Sequence, residues 1–69
     1  MSVLIYGKDN CPYTGAARED HAKRKVPFEY INVLADEARL KEMLRHSKGV
    51  RKVPVIVDGT SVTIGFGGT

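Results

Sequence analysis

A single cysteine, no tryptophan and no apolar run longer than four residues mark what the 69-residue sequence has little of. One cysteine excludes an intramolecular disulfide and a cysteine-built zinc site, so any chemistry of Cys11 involves a second molecule. The short apolar runs exclude a transmembrane helix, which needs ~20 residues. Met1–Gly7 lacks the basic start and the long apolar stretch of a secretory signal. Aromatic residues are only 7% of the chain, and basic residues alternate with acids, so a net charge of +3 makes a weak case for nucleic acid. A small anionic partner suits that charge equally well. The composition, 42% apolar and 28% charged, is that of a globular chain. The expectation is one soluble, cytoplasmic domain over residues 1–69, with no membrane or nucleic-acid partner. Its core is expected to be marginal, because a chain of this size buries only ~60% of the surface it exposes unfolded.

The pattern along the chain reads β-α-β-α-β-β, an α/β order. Residues 2–6 are apolar and β-branched and predict a short buried strand closed by Gly7. Pro12 suits the first turn of a helix running to about Lys25, with Asn10 or Cys11 at its cap and Pro27 beyond its end. Residues 27–33 alternate in part and predict a second strand. Asp36 is placed to cap a helix over 36–47, whose Leu40, Met43, Leu44 and Ser47 share one face, with Gly49 as its stop. Residues 53–57 predict a third strand beginning at Val53-Pro54, and Asp58-Gly59 turns the chain into a fourth over 61–64. The first two strands are expected parallel through a right-handed crossover and the last two antiparallel, in one mixed four-stranded sheet.

The chemistry is expected where the first strand meets the first helix. Cys11 falls at the helix N-terminus, where unpaired N–H groups and the helix dipole favour an anion, and Lys8 adds positive charge. Both favour thiolate, the nucleophilic form of cysteine. The plainer alternative is a small cysteine that only packs. His21 and His46 read as ordinary surface or half-buried helix residues, and His21 lies almost three turns from Cys11.

Lys8-Asp9-Asn10-Cys11-Pro12-Tyr13-Thr14 resembles the active-site loop of the glutaredoxins, usually Cys-Pro-Tyr-Cys. Val53-Pro54-Val55-Ile56 is similar to their Val-Pro element with its cis proline. The closing Gly65-Phe66-Gly67-Gly68 resembles both glutaredoxins and the short redoxins that serve ribonucleotide reductase. The resemblance runs from residue 2 to the end of the sequence. It implies a thioredoxin-like fold and a glutathione-dependent thiol-disulfide oxidoreductase with Cys11 as the catalytic residue and Pro12, Tyr13 and Thr14 completing its loop. It also implies a glutathione site in which Lys8 meets the glycine carboxylate, helped by Arg51 or Lys52. Tyr13 would flank the peptide, Val53 would pair with its backbone next to Pro54, and Gly67 and Gly68 would approach the γ-glutamyl carboxylate. Solvated charges at Lys8, Arg51 and Lys52 and an ordinary surface ring at Tyr13 are the alternatives.

Two departures shape the expected function. Thr14 stands where the resolving cysteine would be, so the resemblance implies a monothiol cycle: deglutathionylation of protein mixed disulfides, with glutathione as co-substrate and no metal. Thr14 would offer its hydroxyl to the Cys11 sulfur or cap the helix turn. Relatives also continue past Gly-Gly with an acidic residue and a final helix, which are absent here. The first helix is thin, with Ala16, Ala17 and Ala22, and with Asp20 and His21 where relatives carry bulky apolar residues. The expected result is an under-covered apolar sheet face on the first-helix side, and with it either marginal stability or a homodimer. Two other readings stand beside the enzyme. One is a dimeric [2Fe–2S] carrier with two Cys11 and two glutathiones, disfavoured by Pro12-Tyr13 in place of Gly-Phe. The other is a non-catalytic module that binds glutathione or a protein thiol.

Overall fold

Val3, Leu4, Ile5 and Tyr6 alternate between two cores, and the rest of the chain is arranged around that alternation. The computed structural model describes residues 2–66. Strand β1 (Val3–Gly7) leads to helix α1 (Pro12–Lys23), β2 (Phe28–Asn32), α2 (Glu37–Ser47), β3 (Val55–Asp58) and β4 (Ser61–Ile64). The sheet order is β2-β1-β3-β4, with β1 and β2 parallel and β3 antiparallel to both β1 and β4. The β-α-β-α-β-β order and the mixed sheet are those expected from the sequence.

Val3 and Ile5 face α1, where they pack with Ala17 and Ile56, and Val26, Phe28 and Phe66 close the edge of this cluster. Tyr6 faces α2 and packs with Ile31, Val33, Met43, Val55 and Val57. Its hydroxyl donates to Glu42 Oε1 at 2.7 Å, so the largest buried side chain also ties β1 to α2. Met43 and Ser47 are buried, and Leu40 and Leu44 pack against the same core, as the helical spacing predicted.

Several boundaries differ from the sequence reading for local reasons. Helix α1 stops at Lys23 rather than Lys25, because Lys25 adopts a left-handed φ of 57° and Val26 N–H turns back to the His21 carbonyl at 2.9 Å. Helix α2 ends the same way. Lys48 takes a left-handed φ of 57° ahead of Gly49, itself at 88°, and Gly49 N–H reaches the Leu44 carbonyl at 2.8 Å. Asp36 caps α2 as expected, accepting from Ala38 N–H at 3.0 Å. Val53-Pro54 precedes β3 rather than opening it, since proline has no N–H for the ladder.

Two further expectations need correction. His21 is buried, not on the surface: it is 6% exposed, its Nδ1 lies 2.7 Å from the Ala17 carbonyl, and its ring meets Phe28 edge-on. It thus packs against Phe28, at the edge of the α1-side cluster. The exposed apolar residues of β4, Val62 and Ile64, pair with Val57 and Val55 and so lie on the α2 side. On the α1 side β4 presents Ser61 and Thr63, whereas the sequence reading placed the thin cover there.

The join between β1 and α1 is a close fit. Thr14, 1% exposed, lies against Gly7, and a Cβ at Gly7 would meet Thr14 Cγ2 and, at 2.6 Å, its hydroxyl oxygen. Gly7→Ala is therefore expected to cost about 1–3 kcal/mol in urea unfolding. In a Thr14→Ala background only the Thr14 Cβ contact at 3.1 Å remains, so the same change should cost markedly less. Equal costs in the two backgrounds would contradict this packing.

Candidate functional site

Cys11 is the N-cap of α1, in extended backbone at φ −94° and ψ 117°, with Pro12 as the first helical residue. Its carbonyl accepts the first helical bond, from Gly15 N–H at 2.9 Å, while its partly exposed thiol makes no capping bond. Asn10 precedes it at a left-handed φ of 64°, a conformation asparagine tolerates better than most residues. Strand end, turn and helix start thus hold one sulfur over the free N–H groups of the first turn.

The Cys11 thiol is held below its ordinary value. The Thr14 hydroxyl contributes most, then the Thr14 backbone N–H; burial acts in the opposite direction, and the Tyr13 N–H and the positive charge of Lys8 add smaller effects. The same hydroxyl is fully buried and has no hydrogen-bond partner at full geometry. These two facts describe one arrangement: a buried donor beside the sulfur, not closed onto the neutral thiol, that the thiolate would satisfy. The main source of the lowered thiol is the residue that replaces the second cysteine, with Lys8 a minor contributor.

The Val53–Pro54 peptide is cis, as the resemblance implied. Tyr6 pairs with Val55, so Pro54 falls at the C-terminal end of β1, the same end of the sheet as the Cys11 loop. Pro54 is buried, Val53 is half-buried against the α2-side core, and the Pro54 carbonyl accepts from Gly65 N–H at 2.7 Å. Lys8, Arg51 and Lys52 are exposed, and Tyr13 is 41% exposed. Gly67 and Gly68 lie outside the described residues.

Sequence reasoning missed a polar clamp on the other flank of the loop. Asp9 accepts from the Tyr30 hydroxyl at 2.8 Å and from Asn32 Nδ2 at 3.2 Å, and the Arg18 guanidinium lies 4.0 Å from the centre of the Tyr30 ring. The Tyr30 hydroxyl is pushed up to about 12 by burial, then by its bond to Asp9 and the Asp9 charge; Arg18 opposes this and ionised Cys11 adds a little. Tyr30 is therefore within electrostatic reach of the sulfur. The available signal was the period of two: Tyr30 and Asn32 stand on one face of β2, and Asn32 pairs with Gly7, where the loop begins. Among the described residues no three His, Cys, Asp or Glu side chains gather to hold a metal. None of their helices is long and apolar enough to cross a membrane.

With this geometry in view, comparison with known proteins is decisive. The family model for glutaredoxin matches residues 3–62. The chain belongs to the glutaredoxin family. The crystal structure of the glutaredoxin grx-1 from Archaeoglobus fulgidus superposes with a TM-score of 0.85 at 27% identity, covering 96% of this chain and 76% of that one. The glutaredoxin-like protein NrdH-redoxin from Escherichia coli, described as having a thioredoxin-like activity profile, gives 0.83 at 32% identity, covering 96% and 84%. None of the curated proteins matches the chain. The fold is thioredoxin-like, and the protein is a thiol-disulfide oxidoreductase of this family.

The ordering of effects on Cys11 is directly measurable. Thr14→Val keeps the shape and removes the donor, so it should raise the thiol pKa, read from thiolate absorbance near 240 nm against pH. Lys8→Gln should raise it less, since its charge acts through solvent. A larger shift for Lys8→Gln would overturn the assignment.

Proposed function

We propose that this glutaredoxin runs a monothiol cycle in which Cys11 removes glutathione from protein mixed disulfides. The observation that carries the reading is Cys11 as the lone cysteine at a helix N-cap, beside the buried Thr14 hydroxyl. The Cys11 thiolate attacks the glutathione sulfur of the mixed disulfide. A new S–S bond forms between Cys11 and glutathione, and the substrate leaves as a thiolate that takes a proton from water. A second glutathione, as thiolate, attacks the glutathione sulfur on Cys11. This releases glutathione disulfide and restores the Cys11 thiolate. One free glutathione thiol is consumed per turn, the other half of the glutathione disulfide comes from the substrate, and no second protein cysteine is needed.

In this reading Tyr13 flanks the bound tripeptide and Val53 offers its backbone to the cysteinyl unit as an added strand. Pro54, without an N–H, leaves that pairing uncontested. Lys8, with Arg51 or Lys52, takes the glycine carboxylate, and Gly67 and Gly68 take the γ-glutamyl end. No resident metal takes part. The cycle suits the reducing cytoplasm, where thiols stay free.

The test is steady-state reduction of a glutathionylated peptide coupled to glutathione reductase and NADPH. A parallel reaction replaces glutathione and its reductase with thioredoxin reductase, prompted by the thioredoxin-like profile of the E. coli neighbour. Turnover with glutathione that is lost in Cys11→Ser is the expected result. Turnover supported only by thioredoxin reductase would refute the glutathione cycle, and none from folded protein would favour the binding module.

A further inference from the structure

The charge of this chain is segregated, although its basic and acidic residues alternate elsewhere. Four of the eleven Lys and Arg residues and none of the eight Asp and Glu residues lie between Met43 and Val57. That stretch carries +4. The remaining seven basic and eight acidic residues leave the rest of the chain at −1, which accounts for the net +3. The four ion pairs all lie outside that stretch, although Lys8, Arg18, Lys25 and Lys41 outside it also have none among the described residues. Lys23, Arg24 and Arg39 bind Glu19, Asp20, Glu29 and Glu42, whereas Arg45, Lys48, Arg51 and Lys52 have no ion pair among the described residues, and all four are exposed.

The backbone that carries these cations is held in place. Gly49 N–H closes on the Leu44 carbonyl at 2.8 Å, and the buried Ser47 donates its hydroxyl to the Val50 carbonyl at 2.7 Å. Val50 stands exposed between Lys48 and Arg51, and the strip runs straight into Val53 and cis-Pro54 at the Cys11 end of the sheet. The negative end of the α2 dipole accounts for Arg45 in its last turn. It does not account for Arg51 and Lys52, which lie beyond that turn.

We propose that residues 45–52 form a docking strip for an acidic polypeptide segment next to the disulfide on which Cys11 acts, an inference that rests on the redox reading of Cys11. Glutathione, with one net negative charge, leaves most of the strip's charge unmatched, so the complementary partner is a longer acidic chain. Three observations favour polypeptide over nucleic acid. The stretch from Met43 to Val57 contains no Phe, Tyr or Trp on which bases would stack. Its exposed apolar residue, Val50, suits a side-chain contact. Its far end leads to the Val53 backbone, which offers strand pairing. Charges in such a rim mainly raise the encounter rate and select the partner, and salt screens them.

The test separates docking from chemistry. Two labelled peptides are compared by fluorescence anisotropy, one rich in Asp and Glu and one with Asn and Gln in their place. At low salt the acidic peptide should bind at least about tenfold more tightly, and the difference should fall below about twofold at high salt. The variant Arg45→Gln/Lys48→Asn, which alters only exposed side chains, should cut the low-salt preference at least about threefold. With a glutathionylated cysteine added to each peptide, kcat/KM should follow the same order. Equal binding of the two peptides at low salt overturns the strip, as does displacement of the acidic peptide by single-stranded RNA at far lower concentration than by its own unlabelled form. Preferential binding without turnover of any peptide supports the strip and overturns the redox reading alone.

Discussion

Everything at the reactive end of this molecule depends on the contact between Thr14 and Gly7. The last residue of the central strand has no side chain, and the third residue of α1 uses the vacated space. That contact brings the helix start down onto the strand end, so the intervening loop turns sharply and leaves Cys11 at the N-cap. It also removes the Thr14 hydroxyl from water without giving it a partner of its own. A buried hydroxyl in that state costs stability unless something nearby accepts a hydrogen bond from it, and an ionised Cys11 sulfur would do so. One packing contact therefore serves the fold and the chemistry together.

The loop is held from both flanks by different means. On the β2 flank the Asp9 carboxylate is fastened by Tyr30 and Asn32, with Arg18 stacked over the tyrosine. On the β3 flank the cis peptide places buried Pro54 at the end of β1, and its carbonyl takes the Gly65 N–H. Charge divides along the same line. The acidic residues that form ion pairs belong to α1, β2 and α2, while the stretch from the end of α2 to Pro54 carries four cations and no acid.

Much of this was legible in the sequence, for identifiable reasons. Apolar pattern placed the first three strands and α2, prolines bounded α1, Asp58-Gly59 announced the last turn, Asp36 its cap, and Cys-Pro-Tyr with a distant Val-Pro indicated the family. The boundaries were less legible, because two lysines, Lys25 and Lys48, take the left-handed positions that sequence rules reserve for glycine or asparagine. The Asp9 clamp was hidden because its members are 21 and 23 residues apart and meet only through the β1–β2 register. His21 read as a surface or half-buried residue because a lone helix histidine usually is one. Its burial comes with its packing against Phe28, which is a tertiary fact. The weight given to Lys8 over Thr14 reflects the same limit: a charge is visible in a sequence, but the burial of a hydroxyl is not.

The central claim is that Cys11 is an activated thiolate, held mainly by Thr14 at the start of α1. The most direct measurement is the rate of Cys11 alkylation by iodoacetamide as a function of pH, with the lone cysteine guaranteeing a single reporter. The account predicts that the rate reaches its plateau well below the pH at which an ordinary thiol of pKa about 8.5 would do so. A rate still climbing through that value, as for a free cysteine, would contradict it.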